Sequence, residues 1–196
     1  MTQYKTIRIR ERIEDDYIIW DGIYKLKKSD FNGPIRNNKT AETASKKLFE
    51  ADGEITSIDE KHIQFKITRI KVIAIASREH SWMNDDFVKK QDIDEILQHE
   101  QLHFMVEEAF SRKLEQKINE EIKRNFQVPR IESLTPEESV RNAIQFYLNE
   151  RRNACQKITE KYQKDYDDAV HDEMNYRIPE KQKEWDEKIR KLLEEL

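Results

Sequence analysis

Two histidines and a glutamate near the middle of the chain have the spacing of a zinc-hydrolase motif. Residues 98–104 read Gln-His-Glu-Gln-Leu-His-Phe, so His99, Glu100 and His103 form an H-E-x-x-H pattern. Positions four apart lie on one face of a helix, and the two imidazoles can therefore point at one spot. Such a pair suits a zinc ion, with Glu100 beside a zinc-bound water as general base. The motif predicts a zinc-dependent hydrolase, with a peptidase as the first choice.

The flanking residues predict that the motif lies on a long, partly buried helix. No proline or glycine interrupts residues 93–126. His99 and His103 fall on the same side as an apolar row that repeats every four residues, so they face the core rather than bulk water. A second interpretation stays open, in which both histidines pack in the core and bond to backbone carbonyls. The apolar row consists of Val106, Phe110, Leu114, Ile118 and Ile122.

A catalytic zinc site needs a third protein ligand, and the sequence offers several. The remaining histidines are His62, His80 and His171. Glu107 follows His103 by one turn on nearly the same face. One straight helix cannot easily wrap three ligands around an ion. Glu107 is therefore expected to lie beside the ligands rather than to bind the metal itself. His171 is preferred, because a helix packed antiparallel to the first could bring it to the pair, with Asp167 orienting its imidazole. A surface histidine is the alternative for His171.

The order of predicted elements, strands first and helices second, favours an α+β fold. Alternating or apolar runs predict strands, and long uninterrupted periodic runs predict helices. Thr135 and Pro136 predict the start of a helix. Asp52-Gly53 predicts a turn. We expect a mostly antiparallel sheet packed on the H-E-x-x-H helix and later helices, which is a zincin-like arrangement. The fold is expected to be a single domain over 1–196, with a strand-rich half (1–90) and a helical half (91–196). The predicted strands are 4–13, 17–26 and 62–77, residues 40–50 are a strand or short helix, and the helices are 93–126, 136–171 and one from Pro179.

Composition limits the classes of partner and compartment. The 196 residues carry a net charge of −4 without a long basic tract, which argues against nucleic acid as a partner. No apolar run approaches the length of a membrane span, and the single cysteine, Cys155, fits a reducing compartment. The charged N-terminus lacks a signal-peptide core, so we expect a cytoplasmic protein, or a secreted or periplasmic one if the natural N-terminus has been removed.

Several short segments follow one another in a recognisable order. They are Leu26 with Ser29-Asp30-Phe31-x-Gly33, Ala41-x-Thr43, Ser81-Trp82, His99-Glu100-Gln101-x-His103-Phe104, Tyr166-Asp167 with His171, and Gln182 with Trp185. This series resembles a bacterial family of predicted zinc-dependent proteases whose function is not known. The resemblance covers about 26–189 and implies a third histidine ligand at His171. Leu102 stands where the family has glycine inside the histidine motif, and Asp172 where it has glycine after the late histidine. The departures remove neither a presumed ligand nor the base.

Three functions stay open from the sequence. The first is a zinc peptidase acting on a peptide or protein substrate, with His99, His103 and His171 as metal ligands and Glu100 as base. The second is a non-catalytic metal-binding or protein-interaction module on the same fold. The third is a zinc amidase acting on cell-wall peptides. A second donor to the reacting oxygen usually helps such chemistry, and Tyr166, Tyr176 and His80 are candidates for it.

The segment Ser29-Asp30-Phe31-x-Gly33 predicts a structural lock on the sheet, and a substrate-binding role is the alternative. Asp30 and Ser29 can bond to nearby backbone groups, and Gly33 can take a positive φ.

Overall fold

The computed structural model describes residues 5–36, 39–88, 92–171 and 178–196. It confirms the predicted α+β class, with an antiparallel sheet and three long helices. A 3-10 turn at Lys28–Asp30 also lies within the strand-rich half. The elements are β1 (Thr6–Arg10), β2 (Tyr17–Ile19), β3 (Ala41–Glu42), β4 (Ser45–Ile58), β5 (His62–Ser77), β6 (Trp82–Met83), α1 (Asp85–Val88), α2 (Ile93–Glu121), β7 (Phe126–Pro129), α3 (Pro136–Val170) and α4 (Pro179–Glu194).

The strands form one five-stranded sheet and a separate two-stranded ribbon. The order in the larger sheet is β1-β4-β5-β2, with β7 also paired to β5, and the ribbon joins β3 to β6. The pairs β1–β4, β2–β5, β5–β7 and β3–β6 are all antiparallel. Residues 40–50 therefore take the strand alternative.

Residue contacts divide the chain into two compact units. The first holds Met1–Arg12, Leu48–Val72 and Arg112–Gln156, and the second holds Ile13–Lys47, Ile73–Ser111 and Lys157–Leu196. A single domain over 1–196 stays a prediction. The H-E-x-x-H motif and the segment around His171 both belong to the second unit, which therefore contains the candidate site.

In the first unit, one predicted turn is wrong. β4 runs straight through Asp52-Gly53, which pairs with β1 instead of reversing the chain. A Cβ atom at Gly53 would lie 3.0 Å from Cδ1 of Ile144 and 3.1 Å from the carbonyl oxygen of Lys66. The glycine thus marks a close approach to a helix, a recognised reason for glycine inside a strand.

In the same unit, the end of α2 and the start of α3 follow from local chemistry. α2 stops at Glu121, before the predicted Phe126, because Phe126 joins β7 and stacks on Phe65 with 5.4 Å between ring centroids. At the start of α3 the predicted cap is confirmed. Thr135 Oγ1 accepts from the Glu138 amide at 3.2 Å, while the Glu138 carboxylate accepts from the Thr135 amide at 2.8 Å. This reciprocal pair is a capping box.

In the second unit, the motif-bearing part of α2 is packed against the chain that precedes it. Phe104 is fully buried in a cluster that also holds residues of β2 and β5. The rings of Trp20 and Phe104 form an edge-to-face pair with 5.2 Å between their centroids. The Leu26 amide donates to Gln101 Oε1 at 2.8 Å. These contacts fix the rotation of α2 about its axis. The cluster consists of Ile18, Leu26, Ala74, Ala76 and Phe104.

The Ser29–Gly33 segment is locked as predicted. Asp30 is buried and accepts from the Lys27 amide at 2.9 Å, the Tyr24 hydroxyl at 2.9 Å and Arg78 Nε at 3.0 Å. The reason for Gly33, however, differs from the predicted positive φ. A Cβ atom there would lie 2.7 Å from the carbonyl oxygen of Glu79, so the constraint is space rather than backbone angle.

Gly33→Ala is therefore expected to lower the free energy of unfolding by about 1–3 kcal/mol, the usual cost of overpacking. Equilibrium unfolding in urea measures it. Gly22→Asn is the control, because Gly22 has φ +80° in open space and asparagine tolerates that conformation. Equal stability of Gly33→Ala and wild type would contradict the steric explanation.

Candidate metal centre

α2 carries the motif inward, as its apolar row predicts. The helix begins after Asp92, whose Oδ1 accepts from the Asp94 amide at 2.8 Å. His99 and Glu100 are only 4% and 3% exposed. A buried polar side chain needs partners, so the contacts of these residues decide what the motif can do.

Three donor atoms from two helices converge beside the motif. The Nε2 atoms of His99 and His103 lie 3.1 Å apart, and Asp167 Oδ1 of α3 lies 3.1 Å from the first and 2.9 Å from the second. Among the described residues, these three form a group whose ligand atoms all lie within 4.8 Å of one another. Ligands bonded to one tetrahedral zinc at about 2.0–2.1 Å are separated by about 3.3 Å. The donor types therefore suit zinc, and the separations of 2.9–3.1 Å are somewhat shorter than this value.

The electrostatics of the group favour a positive species between the donors. Burial raises the pKa of Asp167, but hydrogen bonds from His103 and His99 outweigh it and hold that pKa well below its usual range. Burial lowers the pKa of His103, yet the hydrogen bond to Asp167 and the charges of Asp167 and Glu100 outweigh it, so the net shift is upward. The pocket stabilises positive charge, which a proton or a metal ion can supply.

His171, the third ligand expected from the sequence, lies next to this group. Its ring centroid is 5.2 Å from that of His99, and its Nδ1 is 2.9 Å from the carbonyl oxygen of Asp167. A carbonyl only accepts, so Nδ1 carries the proton, and a neutral ring then keeps a lone pair on Nε2. Its role as a ligand stays a prediction.

Asp167 is the donor that sequence reasoning missed, since it was assigned only to orienting His171. Its position four residues before His171 was the available signal. Whether its carboxylate meets α2 depends on how α3 is rotated against that helix, which the sequence pattern does not specify.

Glu100 is held by the segment that follows β3. Its Oε2 accepts from the amide and from the hydroxyl of Thr43, each at 2.8 Å. The Ala41-x-Thr43 segment thus has a physical role that spacing alone did not reveal. Hydrogen bonds of this kind fix the orientation of the carboxylate.

Glu107, which the sequence placed beside the ligands, is engaged in a buried ion pair. Lys47 Nζ lies 2.7 Å from Glu107 Oε1 and 3.2 Å from Thr159 Oγ1. The side chains of Lys47 and Glu107 are 0% and 1% exposed. The pair joins β4, α2 and α3 within the second unit, one turn beyond His103.

The other two candidate histidines have different surroundings. His62 is in the first unit, 3.9 Å from Asp59. His80 Nδ1 faces Ser77 Oγ at 2.8 Å, and that hydroxyl also contacts Asp16 Oδ2 at 2.6 Å. Ser77 is buried and its proton is directed to a carboxylate, so this Ser, His and Asp arrangement fixes a turn and is not a catalytic triad.

Comparison with protein-family models, curated proteins and solved structures gave no match. Over the described ranges, none of the helices combines the length and apolar character needed to cross a membrane. What the chain does must therefore be inferred from the chemistry of its own residues.

Proposed function

We propose that this protein is a zinc-dependent metallopeptidase, in which His99 and His103 hold the metal together with a third ligand, His171 or Asp167, and Glu100 is the general base. One observation carries the proposal, namely the convergence of two imidazole nitrogens and a carboxylate oxygen within 3.1 Å of one another, beside a buried glutamate. The proposal extends to a zincin-like fold and to kinship with the predicted zinc-dependent proteases that the sequence resembles.

The chemistry divides between the metal and the side chains. Zinc, when bound, polarises a carbonyl and lowers the pKa of a coordinated water towards about 7. Glu100 takes a proton from the attacking water and passes it to the leaving amine, as a general base and then a general acid. Thr43 holds Oε2 of Glu100, which leaves Oε1 for the proton. Burial of Glu100 and His99 limits bulk water, which strengthens these interactions.

The test is metal analysis combined with a cleavage assay. Purified protein should carry near one zinc per chain and should cleave an unstructured protein or peptide library. A chelator should stop cleavage and added zinc restore it. Absence of zinc from both native and refolded protein would overturn the proposal. Cleavage confined to cell-wall peptides would indicate the zinc amidase.

A non-catalytic metal module is the second candidate, and one observation favours it. His171 is not part of the group formed by His99, His103 and Asp167, but its ring lies 5.2 Å from that of His99, and its addition would give four protein ligands. Structural zinc sites are closed by four protein ligands, whereas catalytic sites keep one position for water. Bound zinc without turnover on any library would favour this module.

The identity of the third ligand gives a separate prediction. Asp167→Asn is expected to lower zinc affinity by more than about 100-fold, because loss of a direct ligand should exceed the roughly 10–100-fold cost of an outer partner. His171→Ala should match that loss if His171 binds the metal directly. Competition with a chelating dye measures both dissociation constants.

Asp168→Asn is the control for this pair of variants, since Asp168 is exposed on the next position of α3 and pairs with Lys164. Unchanged zinc affinity in Asp167→Asn would remove that carboxylate from the site, and unchanged affinity in His171→Ala would remove that histidine.

A further inference from the structure

Tyr166 contacts His99 at the ring nitrogen that does not face Asp167 and His103. Its hydroxyl lies 2.9 Å from Nδ1 of His99, while Nε2 of the same ring faces Asp167 and His103. Tyr166 and Asp167 are consecutive in α3, so one stretch of helix supplies a polar partner to each nitrogen of a single imidazole. The ring of His99 is thereby held at both ends.

Packing gives Tyr166 little freedom to move. The residue is 0% exposed. Its ring stacks on His99 with 4.8 Å between centroids and an interplanar angle of 25°, and it lies 5.6 Å from the ring of Trp185 on α4. A flip of the His99 ring would replace Nδ1 by carbon at the hydroxyl and lose the bond. The contact therefore selects one ring orientation.

The direction of the hydrogen bond follows from what a metal ligand requires. A neutral imidazole that binds a metal through Nε2 has its lone pair there and its proton on Nδ1. That Nδ1–H needs an acceptor, because an unpaired buried donor is costly. The hydroxyl oxygen of Tyr166 is the acceptor in position.

We propose that Tyr166 is a positioning residue of the metal centre, whose hydroxyl oxygen accepts the Nδ1–H of His99 and keeps Nε2 of that ring available to zinc. The inference rests on the proposed zinc function and adds to it a partner outside the ligand set. It also gives Tyr166 a place at Nδ1 of His99, away from the nitrogen that faces Asp167 and His103, so Tyr166 is no longer a candidate donor to the reacting oxygen. Tyr176, another of those candidates, lies outside the described residues.

The test compares two variants of α3, each of which removes one tyrosine hydroxyl. Tyr166→Phe is expected to raise the zinc dissociation constant by about 10–100-fold, the usual cost of losing an outer-shell partner. Tyr162→Phe is the matched control, since Tyr162 lies one turn earlier in the same aromatic cluster, with its ring 5.3 Å from Trp185. Tyr162→Phe should bind zinc as wild type does. The zinc dissociation constant is measured by adding zinc to metal-free protein in competition with a chelating dye. Circular dichroism checks that each variant is folded.

A second measurement does not depend on the variants. In zinc-loaded wild type labelled with ¹⁵N-histidine, NMR should place the ring proton of His99 on Nδ1, and in Tyr166→Phe that proton should exchange faster with water. A purely structural tyrosine would not change the exchange of this proton.

Equal zinc affinity of Tyr166→Phe and Tyr162→Phe would overturn the inference and leave the proposed function standing. A ring proton on Nε2 of His99 in the zinc-loaded wild type would overturn it even if Tyr166→Phe failed to fold. Wild type that binds no zinc would overturn both the proposed function and this inference.

Discussion

Glu100→Gln is expected to reduce peptide hydrolysis by about 10²–10⁴-fold while the protein keeps its zinc, because a positioned general base contributes that factor. Glutamine can still accept from Thr43, so the contact that holds residue 100 against the segment after β3 can persist. What it loses is the ability to take a proton from water. Initial rates on an unstructured protein substrate, together with metal content, measure the effect.

The control for this variant is Glu95→Gln, the same chemical change at an exposed position of the same helix. It should cleave at the wild-type rate. Cleavage by Glu100→Gln at that rate would exclude Glu100 as the base, and loss of zinc from Glu100→Gln would mean that the substitution disturbs the ligands themselves.

Lys47→Ala is expected to lower the free energy of unfolding by about 3–5 kcal/mol, the usual result of removing one partner of a buried ion pair. The remaining Glu107 carboxylate would be buried without its counter-ion, and within the described part of the chain its Oε2 already has no hydrogen-bond partner. Urea-induced unfolding followed by tryptophan fluorescence measures the loss.

A double substitution separates the charge effect from the loss of packing. Lys47→Met combined with Glu107→Leu removes both charges and fills similar volume, which is often neutral or stabilising. The double variant should therefore be more stable than Lys47→Ala. If it is equally unstable, the cost comes from shape rather than from an uncompensated charge.

Sequence periodicity was sufficient for the long elements. The apolar row from Val106 to Ile122 predicted α2, and the Thr135-Pro136 start predicted α3, because both signals are local. Residues 40–50 fitted two structures, since Ala41 and Leu48 suit either spacing. Their strand identity follows from pairing with β1 and β6, which are distant in sequence. The turn predicted at Gly53 failed for the same reason, because its cause is contact with Ile144.

The residues of the candidate site also differ in whether local sequence could predict them. His99, Glu100 and His103 could be found because they share one helix, where spacing fixes direction. Asp167, Tyr166 and Thr43 could not be assigned their contacts, since each reaches the motif from another element. Local periodicity predicts which face of a helix is buried, but it does not say which side chain of a neighbouring helix it will meet.

The two helices that bring the donors together lie far apart along the chain, with His103 and Asp167 separated by 64 positions. During translation, α2 leaves the ribosome with both of its histidines before Asp167 and His171 have been added. A nascent chain therefore carries the H-E-x-x-H helix without the groups that complete it. On the proposed function, the metal centre can form only when synthesis has passed Asp167, so the unfinished polypeptide would not present an assembled site to other newly made proteins.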